Sequence, residues 1–289
     1  MPYLVLVSLV WGLSFVIIKG ALTPLDSNFV SLVRMVLSLL VFLPFLRPSG
    51  VRLPDRLRLA AIGGVQFGLM YVAYVACFRH IPAHVVALLT TTTPIFVTLF
   101  HDLLNREFHA KPLLAAALAV AGGVVIKLPE DALHSGLVGV ALLQLSNVAF
   151  AWGQVAYKRF MDARPGLRDR DVFGILYGGA VVVTAAFFLA GALRPGATPP
   201  AVSPTQWLAL AYLGFVASGI CFFLWNLGGR KVGAGTLAVM NNLKIPVGVL
   251  AGLVFLKEAT DYRRLVAGCL LFGAALWVNS RVKSAKRPA

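Results

Sequence analysis

Apolar runs of helical length recur along the whole chain, at roughly 3–22, 29–46, 58–79, 84–104, 111–128, 136–158, 172–193, 205–229, 234–256 and 262–280. About 20 apolar residues of helix are needed to cross a bilayer core. None of the runs shows the alternation over about ten residues that marks an outer-membrane strand. The pattern therefore predicts an all-α integral membrane protein with ten transmembrane helices. The first run lacks a basic leader and a small-x-small cleavage site, so it reads as a span rather than a removable signal peptide.

Polar residues inside these runs carry the next level of information. Thr236 to Glu258, TLAVMNNLKIPVGVLAGLVFLKE, is a spanning segment with Asn241, Asn242, Lys244 and Pro246 at its centre. A mid-span lysine must be desolvated. With about 15 Å of helix on either side, it is too deep to snorkel easily to an interface. Pro246 cannot donate to the carbonyl of Asn242, and polar backbone at membrane depth persists only against protein or a water-filled cavity. One reading is a kinked packing helix whose lysine pairs with a neighbour's carbonyls. The other, taken forward here, is a site for a translocated solute.

Other spans carry stripes of the same kind. Gln144, Asn147, Ala151 and Gln154 share one face of the sixth run, and Phe67, Tyr71, Tyr74 and Phe78 one face of the third. The eighth offers Ser218, Phe222, Trp225 and Asn226. The fourth has Thr90 to Thr93 ahead of Pro94, a second helix break, followed by Thr98 and His101. Each has a plainer alternative: aromatic packing between helices, interhelical amide bonds, or threonines capping the carbonyl that Pro94 frees. Arg34 lies with Ser27, Ser31 and Ser38 on one face only about five residues inside the second run, which favours snorkelling or a structural hydrogen-bond role. Gly248 and Gly252 continue the face of Asn241 and Lys244, where a close helix neighbour would hold the lysine. The fifth and tenth runs, rich in Ala and Gly, read as scaffold.

Composition agrees with the membrane assignment: 59% of residues are hydrophobic and 13% charged, against about a quarter charged in soluble domains, with a mean hydropathy of +0.83. The net charge of +15 suggests nucleic acid until its placement is considered. Of the 26 Lys and Arg, 17 fall in the even-numbered loops and the C-terminal tail, against 7 in the odd-numbered loops. Short Lys/Arg-rich loops stay cytoplasmic, so both termini are expected inside the cytoplasmic (inner) membrane. The expected partners are a small-molecule substrate and the lipid bilayer, not nucleic acid, with the chain a monomer or weak homo-oligomer. Cys77, Cys221 and Cys269 are scattered within spans without metal spacing, and no cofactor or metal is expected.

The chain also repeats itself. WGLSFVIIK from Trp11 pairs with WGQVAYK from Trp152, and aligning Arg79 with Arg230 sets Tyr74 on Trp225. TTTPIF followed by Arg106-Glu107 pairs with LKIPVG followed by Lys257-Glu258, although the two proline spacings differ by one residue. Five spans per half means that the second copy enters from the opposite side. The expectation is two inverted five-helix repeats, 1–134 and 135–289, in one membrane domain, with a site at the midplane between them. The segment RPGLRDRD is the natural hinge.

The WG opening, Arg34 in the second span, the P-x-F…R-E and P…K-E signatures and the five-plus-five arrangement resemble the drug/metabolite transporter superfamily. Within it the chain is most similar to the EamA-like ten-helix permeases, and among these to aromatic amino-acid exporters of the YddG type. The resemblance implies a central cavity lined by spans 1, 3, 4, 6, 8 and 9. The substrate-binding candidates are then Trp11, Tyr71, Tyr74, Thr90, Gln144, Asn147, Gln154, Trp225, Asn226, Asn241 and Lys244.

All eleven Asp and Glu lie in loops or at span ends, so the chain lacks the embedded carboxylate that a proton-exchanging carrier of lipophilic cations needs. A buried base calls for a solute with an acceptor such as a carboxylate. The expected function is secondary transport, exporting aromatic or other neutral amino acids and related metabolites by alternating access. The alternative is a phosphosugar or nucleotide-sugar exchanger, which favours several clustered basic residues where the sequence places only Lys244 centrally. A channel or receptor does not predict an inverted repeat with a charged midplane. An intramembrane enzyme would need a nucleophile and base or a metal set, and no HExxH or GxSxG motif is present.

Overall fold

The computed structural model describes residues 2–47, 50–104, 106, 114, 117–118, 121, 125, 133–193, 200–231, 241, 244–257 and 261–280. Among them, seven helices are long and apolar enough to cross a membrane: α1 (Tyr3–Leu22), α2 (Ser27–Phe45), α3 (Leu53–Cys77), α4 (Ala83–Leu104), α5 (Gly136–Asp162), α6 (Asp169–Ala192) and α7 (Pro204–Lys231). Two further helices follow, α8 (Lys244–Phe255) and α9 (Tyr262–Ser280). The first four match the first four apolar runs, and α5 to α9 match the sixth to tenth. The fifth run lies mostly outside the described residues, as do residues 232–240, 242 and 243, including Asn242 of the ninth.

Helix starts follow their sequence signals. The Asp26 side chain accepts from the Phe29 amide to cap α2, and Ser203 with Gln206 forms a capping box at α7, with Pro204 in its first turn. Leu6, Leu40, Val182, Leu208, Leu250 and Leu270 stay exposed on the outside. Such an apolar exterior suits lipid, and the chain is a multi-pass membrane protein.

Without a hydrophobic drive between helices in lipid, close backbone approach decides the packing. Gly63 of α3 abuts the Leu176 carbonyl of α6, and Gly179 of α6 abuts the Ala60 carbonyl of α3, with no room for a Cβ at either crossing. Gly12 lets α1 reach the Lys244 carbonyl of α8, while Gly248 of α8 seats Phe15 and Ala87. The face that Gly248 shares with Lys244 thus has close neighbours in α1 and α4. Around these crossings α2 packs on α6 and α7, α4 and α5 pack together, and α1 lies between α7 and α8.

The helical wind is irregular at depth. Gly64–Leu69 of α3 and Tyr212–Ile220 of α7 are wound as π-helix, Thr90–Thr92 of α4 as 3₁₀, and Ile18–Leu22 ends α1 with a π turn. Arg106 (φ 59°) and Lys257 (φ 48°) are in the left-handed region without being glycine, a conformation that costs about 1–2 kcal/mol.

Candidate functional site

Trp11 is held by its indole Nε1, which donates to the Ala217 carbonyl at 2.9 Å. That carbonyl belongs to the π-wound part of α7, where the regular ladder is broken. The Trp11 ring lies 4.7 Å from Phe222 and 5.0 Å from Trp225, centroid to centroid. Over it, at 5.3 Å from the centroid, sits the Lys244 ammonium, which donates to Asn241 Oδ1 at 2.9 Å. Lys244 is 7% exposed. Its contacts are a neutral amide and an aromatic face, the kind of setting in which cation–π attraction is strongest because water is excluded.

Arg34 occupies the other end of the same aromatic wall. Its guanidinium carbon is 4.4 Å from the Tyr71 ring centroid, and Tyr71 meets Phe222 edge-on at 5.9 Å. Nη2 donates to Tyr71 Oη and to Ser218 Oγ, both at 2.9 Å, and Nε reaches Ser218 Oγ at 3.2 Å. Arg34 is 1% exposed, and its Nη1 has no hydrogen-bond partner among the described residues. The group is fixed from behind: Ser31 Oγ donates to the Tyr71 carbonyl, Ser38 Oγ to the Gly214 carbonyl, and Tyr177 Oη to the Ser218 carbonyl. This arginine does not snorkel. Its depth comes from α3 and α7 closing over it with hydroxyls.

The third wall is the seam of α4 with α5. Pro94 has no N–H for the Thr90 carbonyl, and the turn before it tightens, with Thr90, Thr91 and Thr92 hydroxyls donating to the carbonyls of Ala87, Leu88 and Leu89. Asn147 of α5 donates from Nδ2 to Thr92 Oγ1 and the Leu89 carbonyl, and accepts from Thr93 through Oδ1. The threonines thus act both as local caps and as interhelical partners.

These walls flank a small cavity of about 70 Å³, lined by Trp11, Ser14, Phe15, Arg34, Met70, Tyr71, Tyr74, Thr90, Thr93, Ser146, Asn147, Phe150, Phe222 and Lys244. The lining comes from α1, α3, α4, α5, α7 and α8, the helices expected from the sequence, with α2 added through Arg34. Among the described residues lining it, two are charged, both positively, and none is a carboxylate.

Of the residues singled out in the sequence, Trp11, Tyr71, Tyr74, Thr90, Asn147 and Lys244 come together here. The others stand one layer back. Asn241 holds Lys244. Gln144 accepts from Thr92. Trp225 is buried behind Trp11, Asn226 accepts from Gln66 Nε2 at 3.1 Å, and Gln154 is buried with Nε2 unpartnered. The polar stripe of α5, Gln144 to Gln154, extends about 15 Å along the helix, and of its members only Asn147 is among the lining residues. Pro94 is buried against the tightened turn, and Pro246 lies within α8. Ser14, Phe15, Met70, Ser146 and Phe150 line the cavity without having been singled out in the sequence, and Arg34, read there as snorkelling or structural, lines it as well. The signal for Arg34 was its serine-rich face, which marks buried contact with neighbouring backbone.

A model described as "EamA-like transporter family" matches residues 1–128 and again 137–280. The chain is 40% identical over 282 residues to "Probable biotin transporter" of Pseudomonas aeruginosa, spanning 96% of this chain and 97% of that protein. It is 36% identical to "Biotin transporter" of Escherichia coli K12, over 97% and 93%. More distantly, it is 25% identical to "Probable amino-acid metabolite efflux pump" of the same organism, over 95% and 92%. One solved crystal structure superposes with a TM-score of 0.64 at 18% identity, covering 96% of this chain and 95% of its own, a likeness of fold alone.

Proposed function

We infer that this chain, which belongs to the EamA-like transporter family of the drug/metabolite transporter superfamily, carries biotin or a closely similar small carboxylate across the cytoplasmic membrane by alternating access. The observation that carries this reading is the cavity's charge: two buried cations, Arg34 and Lys244, with no carboxylate among the lining residues described. Biotin presents one carboxylate, an apolar ring and chain, and a ureido group that both donates and accepts hydrogen bonds. The aromatic wall suits the first two parts, and Asn147, Thr90 and Thr93 suit the last. The similarity to proteins named as biotin transporters over almost the full chain points the same way.

Amino-acid export, expected from the sequence, now has weaker support. Two proteins named as probable amino-acid metabolite efflux pumps are related at 26% and 25% identity. An amino acid also brings an ammonium into a cavity already holding two cations, a like-charge approach that low dielectric makes costly. Ten helices in two inverted halves, 1–134 and 135–289, with both termini cytoplasmic, remain our reading of the architecture. The double match to one family model supports it. So do two echoes between the halves: π-wound segments in α3 and α7, and left-handed backbone at Arg106 and Lys257, the positions aligned by their following glutamates.

The test is counterflow in proteoliposomes. Vesicles loaded with unlabelled biotin should accumulate labelled biotin saturably, and excess phenylalanine should compete weakly. Absence of counterflow, or phenylalanine exchanged better than biotin, would overturn the assignment.

A further inference from the structure

We propose that Arg34 is the carboxylate anchor of the central cavity and Lys244 is not, so that the substrate lies along the aromatic wall with its acid end at α2. The proposal rests on reading the cavity as the substrate site, and it assigns different roles to two cations that composition treats alike.

The geometry separates them. Lys244 already has an oxygen acceptor, Asn241 Oδ1, and the electron-rich face of Trp11. Among the described residues Arg34 has only hydroxyl oxygens and the Tyr71 face, and Nη1 has no partner there although the residue is 1% exposed and lines the cavity. A guanidinium is always ionised, so it cannot shed its charge to relieve burial. A buried charge without its counter-ion costs several kcal/mol, more than hydroxyl partners recover. An incoming carboxylate offers what this site lacks: a negative charge and acceptor lone pairs for the unpartnered donor. Charge-assisted bonds of this kind are roughly twice as strong as neutral ones.

The support behind the guanidinium is that of a binding group rather than a spare one. Tyr71 and Ser218 hydroxyls lie 2.9 Å from each other and both receive Nη2, so the plane of the fork is set before any ligand arrives. Ser218 and its neighbour Ala217 belong to the π-wound stretch of α7, and Ala217 fixes Trp11 through its carbonyl. One irregular segment therefore positions both the anchor and the aromatic wall beside it. Phe222 bridges the two, in contact with Trp11 at one side and Tyr71 at the other.

The experiment compares biotin with biotin primary amide, which keeps the ring system and chain and removes only the charge. Binding to purified wild type, Arg34→Gln, Arg34→Lys and Tyr71→Phe is measured by calorimetry, with folding checked by gel filtration. The wild type should prefer the acid by at least about tenfold, the order expected for one hydrogen bond to a charged group. Arg34→Gln should bring the preference close to unity by weakening the acid alone. Arg34→Lys should recover part of it, and Tyr71→Phe should narrow it while keeping the ring. An anchor role is overturned if folded Arg34→Gln still prefers the acid as strongly as wild type. If Arg34→Gln does not fold, Arg34→Lys and Tyr71→Phe decide, and a wild-type preference in both overturns it. Should wild type not bind biotin at all, the substrate reading fails. The anchor is then judged on pentanoate, octanoate and phenylacetate against their amides, and no acid preference in that panel overturns it.

Discussion

Lys244 keeps an ammonium among neutral partners, one amide oxygen and one indole face. Removing a buried charge while keeping its stem is often neutral or stabilising, whereas removing a donor that a substrate uses costs affinity. Lys244→Met separates these effects. We expect melting temperature unchanged or raised, biotin counterflow reduced by about tenfold or more, and the acid-over-amide preference retained, since that preference belongs to Arg34. Wild-type counterflow by Lys244→Met would make the lysine a packing residue.

Helix packing depends on a few glycines whose neighbours cannot move. A methyl group at Gly179 would meet the Ala60 carbonyl, part of a backbone already hydrogen-bonded in α3, whereas nothing lies within 4 Å of the position a Cβ would take at Gly178. These adjacent residues give a paired test of the α3–α6 crossing. Gly179→Ala should lose about 1–3 kcal/mol, the usual range for overpacking, read as a lower midpoint of thermal aggregation in detergent. Gly178→Ala should be indistinguishable from wild type or slightly more stable, because alanine favours helix. Equal midpoints for the two variants would mean that the crossing is looser than described. This crossing also positions the Arg34 group, since α3 presents Tyr71 to Arg34 and α6 presents Tyr177 to the π-wound stretch of α7.

Across the whole molecule the two ends of the bundle are joined by different chemistry. At one end Arg230 clasps Asp169 through both oxygens, 2.9 and 2.7 Å, and Tyr157 donates to the same carboxylate. Arg164, in the α5–α6 connection, pairs with Asp55 at the start of α3. At the other end Lys19 donates to the Phe78 and Ile81 carbonyls, Arg79 to Leu25 and Gln206 to Ala21. Alternating access requires one end to part while the other holds, and the ion-pair end is the one a single charge change can weaken. In a background with Cys77, Cys221 and Cys269 replaced, Ser146→Cys in the cavity should label from that side about fivefold faster when Asp169→Asn is added, the shift expected for roughly 1 kcal/mol. Unchanged labelling would show that these pairs do not hold the end shut.

Membrane class and the buried position of Lys244 were legible in the sequence because each depends on near neighbours. Hydropathy over about 20 residues sets a span, and a lysine within an apolar run must find a partner. Tyr71, Tyr74, Asn147 and Phe222, which stand on polar and aromatic stripes at helical spacing, do face the cavity. The place of Arg34 was not legible. Five residues from a span end it has every local reason to snorkel, and only Tyr71, 37 residues on, and Ser218, 184 residues on, hold it in the cavity. Gln154 and Asn226 were read as lining for the converse reason: their helical face is right, but depth along the helix decides whether it meets the cavity or the layer behind it. In a bilayer, lipid contact and helix contact are almost equally apolar. Hydropathy therefore settles which segments cross, while glycine crossings and buried hydrogen bonds between distant residues settle what each polar group faces.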